Sequence, residues 1–300
     1  MNKKLTGIYA ALFTPFDKDG KIMYEPLQKH VDYLVQQGID GFYVNGSTGE
    51  SFLMTPEERK KSIEAVIEAN DGRASIINHC GAIGTDLSVD LIRHCADLSI
   101  DAVSAVPPFY YKFSKEEIVG YYNDLANASE KPFIVYNMPK FSGVVITPDI
   151  MSELRKNPKI QGLKYTYQDF AALRDIKTSD PDLIVYNGFD EMCICGMAMG
   201  CDGAIGSTYN VLAPIILKLK KLCLENDFQS ALTVQTILND FITGLTRNGK
   251  HFAISKYIIS KLENIDYGTA RKPFAPLTKE EIRLADELAE KLAAYYLKFS

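Results

Sequence analysis

The sequence predicts an α/β protein in which eight short strands alternate with helices and close into one (β/α)8 barrel. Short apolar runs alternate with longer amphipathic segments, which predicts parallel strands joined by helices. There are eight such runs, and eight parallel strands close into a barrel. The turn after the first strand, Thr14-Pro15-Phe16-Asp17, lacks the Gly-x-Gly-x-x-Gly pattern typical of an open doubly wound sheet. The open sheet is therefore the less favoured alternative.

The strands are predicted where the apolar runs lie, at residues 7–13, 41–45, 75–79, 102–106, 133–137, 161–165, 183–187 and 203–206. Segments of helical period lie between them, for example at residues 24–37, 55–70, 114–129 and 147–157. Thr55 before Pro56 is a strong helix start, because the hydroxyl caps free N–H groups and proline suits the first helical position. Ser114, three residues before Glu117, predicts a capping box at another helix start.

The C-terminal part of the chain is predicted to be helical. After the eighth strand, helical segments lie around residues 228–246, 251–262 and 279–297, and no linker rich in Pro, Gly or Ser precedes them. We therefore expect a barrel over residues 1–225 and a C-terminal helical bundle, packed on the barrel, over residues 226–300.

Composition and charge exclude several classes of protein. The chain has 300 residues, a formal charge of −5 and charged residues that are spread along its length. A nucleic-acid partner is not expected, because phosphate binding needs a clustered basic face. No apolar stretch is long enough to span a bilayer, and the first residues lack the apolar run of a signal peptide. We therefore expect a cytoplasmic protein without a membrane partner.

The cysteines and histidines do not predict a metal site. Six cysteines lie mostly inside apolar segments, as reduced core thiols do. Cys193 and Cys195 form C-x-C without a neighbouring histidine, and this is not the ligand spacing of a zinc site. The four histidines are scattered, and His79, at a strand end, fits a core position. We expect no bound metal.

Lys164 is the candidate catalytic residue that the predicted barrel singles out. Active sites of such barrels lie at the C-terminal ends of the strands, and Lys164 lies near the end of the sixth strand. Burial in an apolar strand removes a lysine from water and lowers its pKa. The neutral amine is the species that attacks a ketone to form an imine. The alternative is a lysine that snorkels from the strand end or pairs with an acid, and periodicity alone favours this alternative.

Tyr136 strengthens the catalytic interpretation of Lys164. Tyr136 lies near the end of the neighbouring fifth strand. Adjacent strands are about 4.8 Å apart, so its phenol can reach the same volume as the amine. A buried phenol beside a polarised substrate can act as a proton shuttle. The alternative, which is the commoner case, is an interior tyrosine with a hydrogen-bonded hydroxyl.

Further polar residues follow other predicted strands. The loop at Ser47 and Thr48 offers two hydroxyls and small-residue amides, which suit a carboxylate, although a plain turn has the same composition. Asp190 and Glu191 fit an acid–base pair, a metal-ligand pair or acceptors for substrate hydroxyls. An acid-rich helix start is the common structural alternative for these two residues.

Taken together, the strand ends resemble those of a known family. The stretches that carry the resemblance are GIYAALFTPF at residues 7–16, GSTGE at 46–50, YNMP at 136–139, GFDE at 188–191, GAIGSTYN at 203–210 and RKPF at 271–274. Over nearly its whole length the chain resembles the pyruvate-dependent class I aldolases of the N-acetylneuraminate lyase and dihydrodipicolinate synthase family. The resemblance implies a barrel with a C-terminal helical bundle, a homotetramer, and catalysis without a metal or organic cofactor.

The resemblance also implies roles for single residues. Lys164 forms the Schiff base, and Tyr136 shuttles the proton with assistance from Tyr110. Ser47 and Thr48 hold the substrate carboxylate. In the synthase branch, the tyrosine that matches Tyr110 comes from a neighbouring subunit. The residues implied to hold the sugar part of the substrate are Thr166, Gly188, Asp190, Glu191 and Ser207.

Within this family the chain resembles the N-acetylneuraminate lyase branch. Phe141, beside Lys140, stands where synthases carry an arginine, and Pro107 stands where many lyases have threonine. The expected reaction is reversible cleavage of N-acetylneuraminate to N-acetylmannosamine and pyruvate. The alternatives are a dihydrodipicolinate synthase, an aldolase for a 2-keto-3-deoxy sugar acid and, outside enzymes, a catalytically silent barrel that binds pyruvate-like acids.

Overall fold

The computed structural model describes residues 5–297, and in these residues eight parallel strands form a closed barrel. Strands that follow one another in sequence are neighbours in the sheet. The predicted barrel is confirmed, and the predicted strand ends differ from the observed ones by at most two residues. The strands are β1 (Gly7–Ala11), β2 (Gly41–Val44), β3 (Ser75–His79), β4 (Ala102–Ala105), β5 (Phe133–Asn137), β6 (Ile160–Tyr165), β7 (Ile184–Asn187) and β8 (Gly203–Gly206).

Helices connect the strands and follow the last of them. The predicted helix starts at Thr55 and Ser114 are confirmed, since each hydroxyl accepts a hydrogen bond from the N–H of the glutamate three residues later. No helix within residues 5–297 is long and apolar enough to cross a membrane. The helices are α1 (Tyr24–Gln36), α2 (Pro56–Asn70), α3 (Thr85–His94), α4 (Lys115–Ala128), α5 (Pro139–Ser142), α6 (Pro148–Leu154), α7 (Phe170–Ser179), α8 (Cys193–Ala198), α9 (Tyr209–Leu224), α10 (Phe228–Leu245), α11 (His251–Glu263) and α12 (Lys279–Tyr296).

The chain divides into two compact units. One unit comprises the chain up to Tyr9 together with Asp40–Val44 and Ser75–Gly206, and it contains β2 to β8 and α3 to α8. The other comprises Ala10–Ile39, Asn45–Ala74 and the chain from Ser207 onward, and it contains α1, α2 and α9 to α12. The expected boundary between residues 225 and 226 stays a prediction.

The pairing of β5 with β6 positions the central side chains of the first unit. All residues of β5 are buried, as is nearly all of β6. The strands run in parallel, and their register places Tyr136 opposite Lys164. Gly162 permits this close pairing, because a Cβ there would lie 2.5 Å from Cδ1 of Ile134. The two polar side chains therefore meet near the C-terminal ends of the strands, where barrel active sites lie.

Candidate active site

Lys164 is held among aromatic rings inside the first unit. Its side chain is buried, with 4 % of the residue exposed. The amine Nζ lies 4.1 Å from the ring centroid of Tyr43 on β2 and 4.2 Å from that of Tyr136 on β5. Among residues 5–297, no carboxylate lies within ion-pair distance of this nitrogen. The amine is thus removed from water without a salt bridge to compensate its charge.

This environment changes the protonation of Lys164. Burial lowers the pKa of the amine to about 7, and the negative charge of Asp190 partly opposes the shift. Desolvation disfavours the ammonium form, so a substantial share of the amine is neutral near neutral pH. A neutral amine carries the lone pair that attacks a carbonyl carbon. The site is therefore suited to imine formation.

Tyr136 belongs to a buried aromatic cluster around the amine. Its ring meets Tyr43 edge-on at a centroid distance of 5.9 Å and His79 at 6.1 Å. Such T-shaped pairs are favourable arrangements of aromatic rings and restrict the orientation of each partner. The phenol is therefore presented beside Lys164 in a defined position.

Residues behind the cluster fix its members. The Tyr43 hydroxyl is hydrogen-bonded to Oγ of Ser104 at 3.0 Å. The backbone N–H of Val106 donates to Nε2 of His79 at 3.1 Å. Because Nε2 accepts this bond, His79 is neutral and carries its proton on Nδ1.

Sequence reasoning missed Tyr43 and Ser104 and placed His79 only as a core residue. The one signal for Tyr43 and Ser104 is that each is a phenolic or polar side chain within an otherwise apolar strand. His79 had no such signal, because β3 also contains Ser75 and Asn78.

The loops after β6 and β7 bring Thr166 and Gly188 together. Oγ1 of Thr166 is buried and has no hydrogen-bond partner among the described residues. A Cβ at Gly188 would lie only 1.9 Å from that oxygen, so glycine is required for this close approach. The Gly188 N–H donates to the carbonyl of Tyr165 at 2.8 Å, which fixes the loop. Thr166 Oγ1 is thereby available to a ligand.

The two predicted acids after β7 differ in environment. Asp190 is buried at the start of a short 3-10 turn, whereas Glu191 is exposed. Only Asp190 acts on the charge of Lys164. Asp190 therefore belongs to the electrostatic surroundings of the amine, and Glu191 does not.

Tyr110 is placed apart from this cluster. It is 84 % exposed, has a left-handed backbone with φ of 79°, and packs edge-on against Tyr111 at 5.1 Å. Phe141, in α5, is likewise exposed, and Nζ of Lys140 lies 5.8 Å from its ring. These exposed side chains are open to contacts from outside the chain.

The second unit holds the remaining predicted residues. Ser47 and Thr48 lie in a 3-10 turn that runs from Ser47 to Gly49, in which Thr48 is buried. Ser207 is hydrogen-bonded through Oγ to Nε2 of His251 at 3.0 Å. Burial lowers the pKa of His251 to about 4, so the imidazole is neutral at neutral pH. Residues 5–297 contain no cluster of His, Cys, Asp and Glu suited to a metal ion.

The chain is similar in sequence to known proteins over nearly its whole length. Residues 4–292 match the profile of the Dihydrodipicolinate synthetase family. The chain is 37% identical over 292 residues to an N-acetylneuraminate lyase of Rhizobium meliloti, with 97% of each chain covered. It is 36% identical over 288 residues to an N-acetylneuraminate lyase of Clostridium perfringens, covering 96% of this chain and 99% of that one.

The chain is also similar in fold to solved structures. The fold matches CdNal from Clostridium difficile in complex with mannosamine, with a TM-score of 0.94, 35% identity, and 96% and 99% of the two chains covered. It matches a catalytic lysine mutant of a Ruminococcus gnavus sialic acid aldolase with a TM-score of 0.97, 30% identity, and 100% and 99% covered. This chain therefore belongs to the dihydrodipicolinate synthetase family.

Proposed function

We propose that this chain is a class I aldolase that cleaves N-acetylneuraminate reversibly to N-acetylmannosamine and pyruvate through an imine at Lys164. The observation that carries the proposal is a buried lysine, with a pKa lowered to about 7, whose Nζ lies 4.2 Å from the ring of Tyr136. The substrate is supported by the similar proteins, which include N-acetylneuraminate lyases of two bacteria.

The reaction begins with attack of the neutral Lys164 amine on the C2 ketone of the open-chain sugar acid. Loss of water leaves an iminium, which accepts the electron pair of the breaking bond. Tyr136 relays the proton of the C4 hydroxyl, the C3–C4 bond breaks, and N-acetylmannosamine leaves as the aldehyde. The resulting enamine takes that proton at C3. Hydrolysis of the imine frees pyruvate and restores the amine.

The other predicted residues would bind the substrate. Ser47 and Thr48 offer hydroxyls, and the latter is buried, which suits the carboxylate of the pyruvate part. The sugar part would be held by Thr166, Gly188, Asp190, Glu191 and Ser207, of which Thr166 carries an unsatisfied buried hydroxyl oxygen. An unpaired buried polar atom is costly unless a ligand completes its hydrogen bonds.

Tyr110 would assist Tyr136 as a residue of a homotetramer in the cytoplasm. Its exposure of 84 % fits a side chain that is completed by a neighbouring subunit. The assembly and the compartment are part of this proposal.

The test compares two reactions of one purified protein. We expect kcat/KM for pyruvate release from N-acetylneuraminate to exceed that for condensation of pyruvate with aspartate semialdehyde. The reason is Phe141, which leaves the synthase arginine position without a bidentate carboxylate clamp. A faster second reaction would assign the chain to the synthase branch. Absence of both reactions, with pyruvate still bound, would indicate a silent binding barrel.

A further inference from the structure

A fully buried ion pair in the second unit has no part in the reaction described above. The amine of Lys256 lies 2.5 Å from Oε1 of Glu50, and both side chains are 0 % exposed. Burying two charges costs free energy, which is recovered only when the geometry is good and the remaining polar atoms are satisfied. A buried ion pair therefore does not by itself stabilise the fold, and its presence here needs another explanation.

The pair is anchored by further hydrogen bonds. Lys256 also donates to the carbonyl of Thr269 at 2.9 Å, and its Nζ lies 4.7 Å from the ring of Phe16. The second carboxylate oxygen of Glu50 accepts the backbone N–H of Arg271 at 2.7 Å. Burial raises the pKa of Glu50 and lowers that of Lys256 to about 8, which shows the desolvation that these contacts offset. Glu50 is therefore held at a fixed point by the C-terminal part of the chain.

Glu50 ends the turn that contains Ser47 and Thr48. Its backbone is left-handed with φ of 57°, and Asn45, just before the turn, has the same φ. Non-glycine residues rarely adopt this conformation, and it persists only where the surroundings enforce it. The Asn45 amide donates to the carbonyl of Arg59 at 2.9 Å, so each end of the turn is fixed by a buried side chain.

The turn itself is also tightly packed. The Glu50 N–H donates to the carbonyl of Ser47 at 3.1 Å. A Cβ at Gly49 would lie 3.2 Å from Oγ1 of Thr14 and from the carbonyl of Leu12. The backbone that carries the hydroxyls of Ser47 and Thr48 is thus held at its C-terminal end by the side chain of Glu50.

We propose that the Glu50–Lys256 ion pair is a positioning device that holds the turn at Ser47 and Thr48 in its carboxylate-binding conformation. The inference rests on the proposed function, in which these two residues bind the carboxylate of the pyruvate part. Without the pair, Glu50 loses its anchor, the left-handed backbone relaxes, and the hydroxyls no longer converge on one anion. The rings that surround the Lys164 amine belong to Tyr43 and Tyr136, which lie outside this turn. Affinity for pyruvate should therefore fall while the limiting rate of imine formation is retained.

The chain provides a matched control. Lys177 is paired with Asp202 at 2.8 Å, with 11% and 13% of the side chains exposed, and it also donates to the carbonyl of Leu183. Asp202 immediately precedes β8, at the strand end opposite to the one where barrel active sites lie. Lys177→Met therefore removes a comparable lysine pair without touching the turn.

The experiment uses the purified full chain and measures borohydride-trapped imine at Lys164 against pyruvate concentration. The variants are Glu50→Gln, which is isosteric, Lys256→Met, and the two combined, which leaves no buried charge. We expect half-saturation by pyruvate to shift upward by about 10-fold or more, while the rate at saturation stays within about 2-fold of wild type. Lys177→Met should shift neither value.

An unchanged half-saturation in Glu50→Gln and in the combined variant would overturn the proposal. A similar shift in Lys177→Met would overturn it as well, because the effect would then be one of general stability. If Lys256→Met alone does not fold, the combined variant carries the same measurement. Absence of label at Lys164 in the wild-type chain would contradict the proposed function instead, so the two failures are distinguishable.

Discussion

Lys164 and Tyr136 are register partners on β6 and β5, and the lysine Nζ lies 4.2 Å from the centroid of the tyrosine ring. Tyr43 presents a second ring to the same nitrogen at 4.1 Å. The amine thus faces two aromatic rings, and the negative charge of Asp190 acts on it. This arrangement adjusts the basicity of the amine through burial and leaves the phenol of Tyr136 beside the bond that Lys164 would form.

The rate of imine formation should rise with pH and level off above about pH 7. Below the lowered pKa of about 7 the amine is protonated and cannot attack a carbonyl, and above it the neutral form predominates. The measurement is the rate of borohydride-trapped imine at saturating pyruvate across this range. In Asp190→Asn the charge that raises the pKa is removed, so the midpoint should move to lower pH. A midpoint near the usual lysine value of 10.5 would be incompatible with the buried environment.

Replacement of Lys164 by methionine should stabilise the fold at and below neutral pH. Between the folded-state pKa of about 7 and the usual value of 10.5, the unfolded chain binds more protons, so wild-type stability rises with pH there. The penalty for the buried amine is fully present below about pH 7 and vanishes toward pH 10.5. The gain in Tm of Lys164→Met should follow the same course in thermal unfolding.

The control for this stability change is Lys140→Met, since Lys140 is exposed. Its Tm should stay near the wild-type value at every pH. A Lys164→Met protein that unfolds at a lower Tm than wild type near about pH 6 would show that the amine carries no desolvation penalty.

Tyr136→Phe should retain imine formation and lose most cleavage of N-acetylneuraminate. The ring that packs against Lys164 remains, but the hydroxyl that relays the proton is gone. Proton transfer by a positioned group contributes about 10²–10⁴-fold, so kcat should fall within that range. Tyr122→Phe is the control, because it removes another buried hydroxyl, which donates to the carbonyl of Ala105. An unchanged kcat in Tyr136→Phe would exclude Tyr136 from the mechanism.

Gly188→Ala should impair the sugar substrate and spare the pyruvate imine. The added Cβ would lie 1.9 Å from Oγ1 of Thr166, so the threonine or the loop must move. We expect kcat/KM for N-acetylneuraminate to fall by about 10-fold or more, because a misplaced hydroxyl no longer meets its partner. Gly120 lies at an exposed position of α4 with open space around it, so Gly120→Ala should leave kcat/KM unchanged. If trapped pyruvate imine falls as much as kcat/KM does, the substitution affects more than binding of the sugar part.

The sequence was sufficient to predict the barrel and to predict that Lys164 and Tyr136 lie side by side. Eight apolar runs define the strands, and two polar residues near the ends of consecutive parallel strands must lie close together. Tyr43, Ser104 and His79 could not be assigned in this way. In a barrel strand both faces are buried, so hydropathy does not show which side chains point toward the catalytic lysine.

The Glu50–Lys256 ion pair could not be predicted from the sequence for a different reason. The two residues are 206 positions apart, and no periodicity links an acid at the end of a turn to a lysine in a late helix. Only the folded chain shows that both are buried and in contact. Its significance also depends on the left-handed backbone of Glu50, which sequence patterns do not indicate for a glutamate.

The most direct test of the catalytic account is to incubate the chain with pyruvate and borohydride and to locate the label by peptide mass analysis. Lys164 is expected to carry a reduced pyruvate adduct, and Lys164→Ala should neither take up label nor cleave N-acetylneuraminate. Lys256, which is also buried, should remain unlabelled because its amine is engaged by Glu50. Label on a lysine other than Lys164, or turnover by Lys164→Ala, would contradict the account.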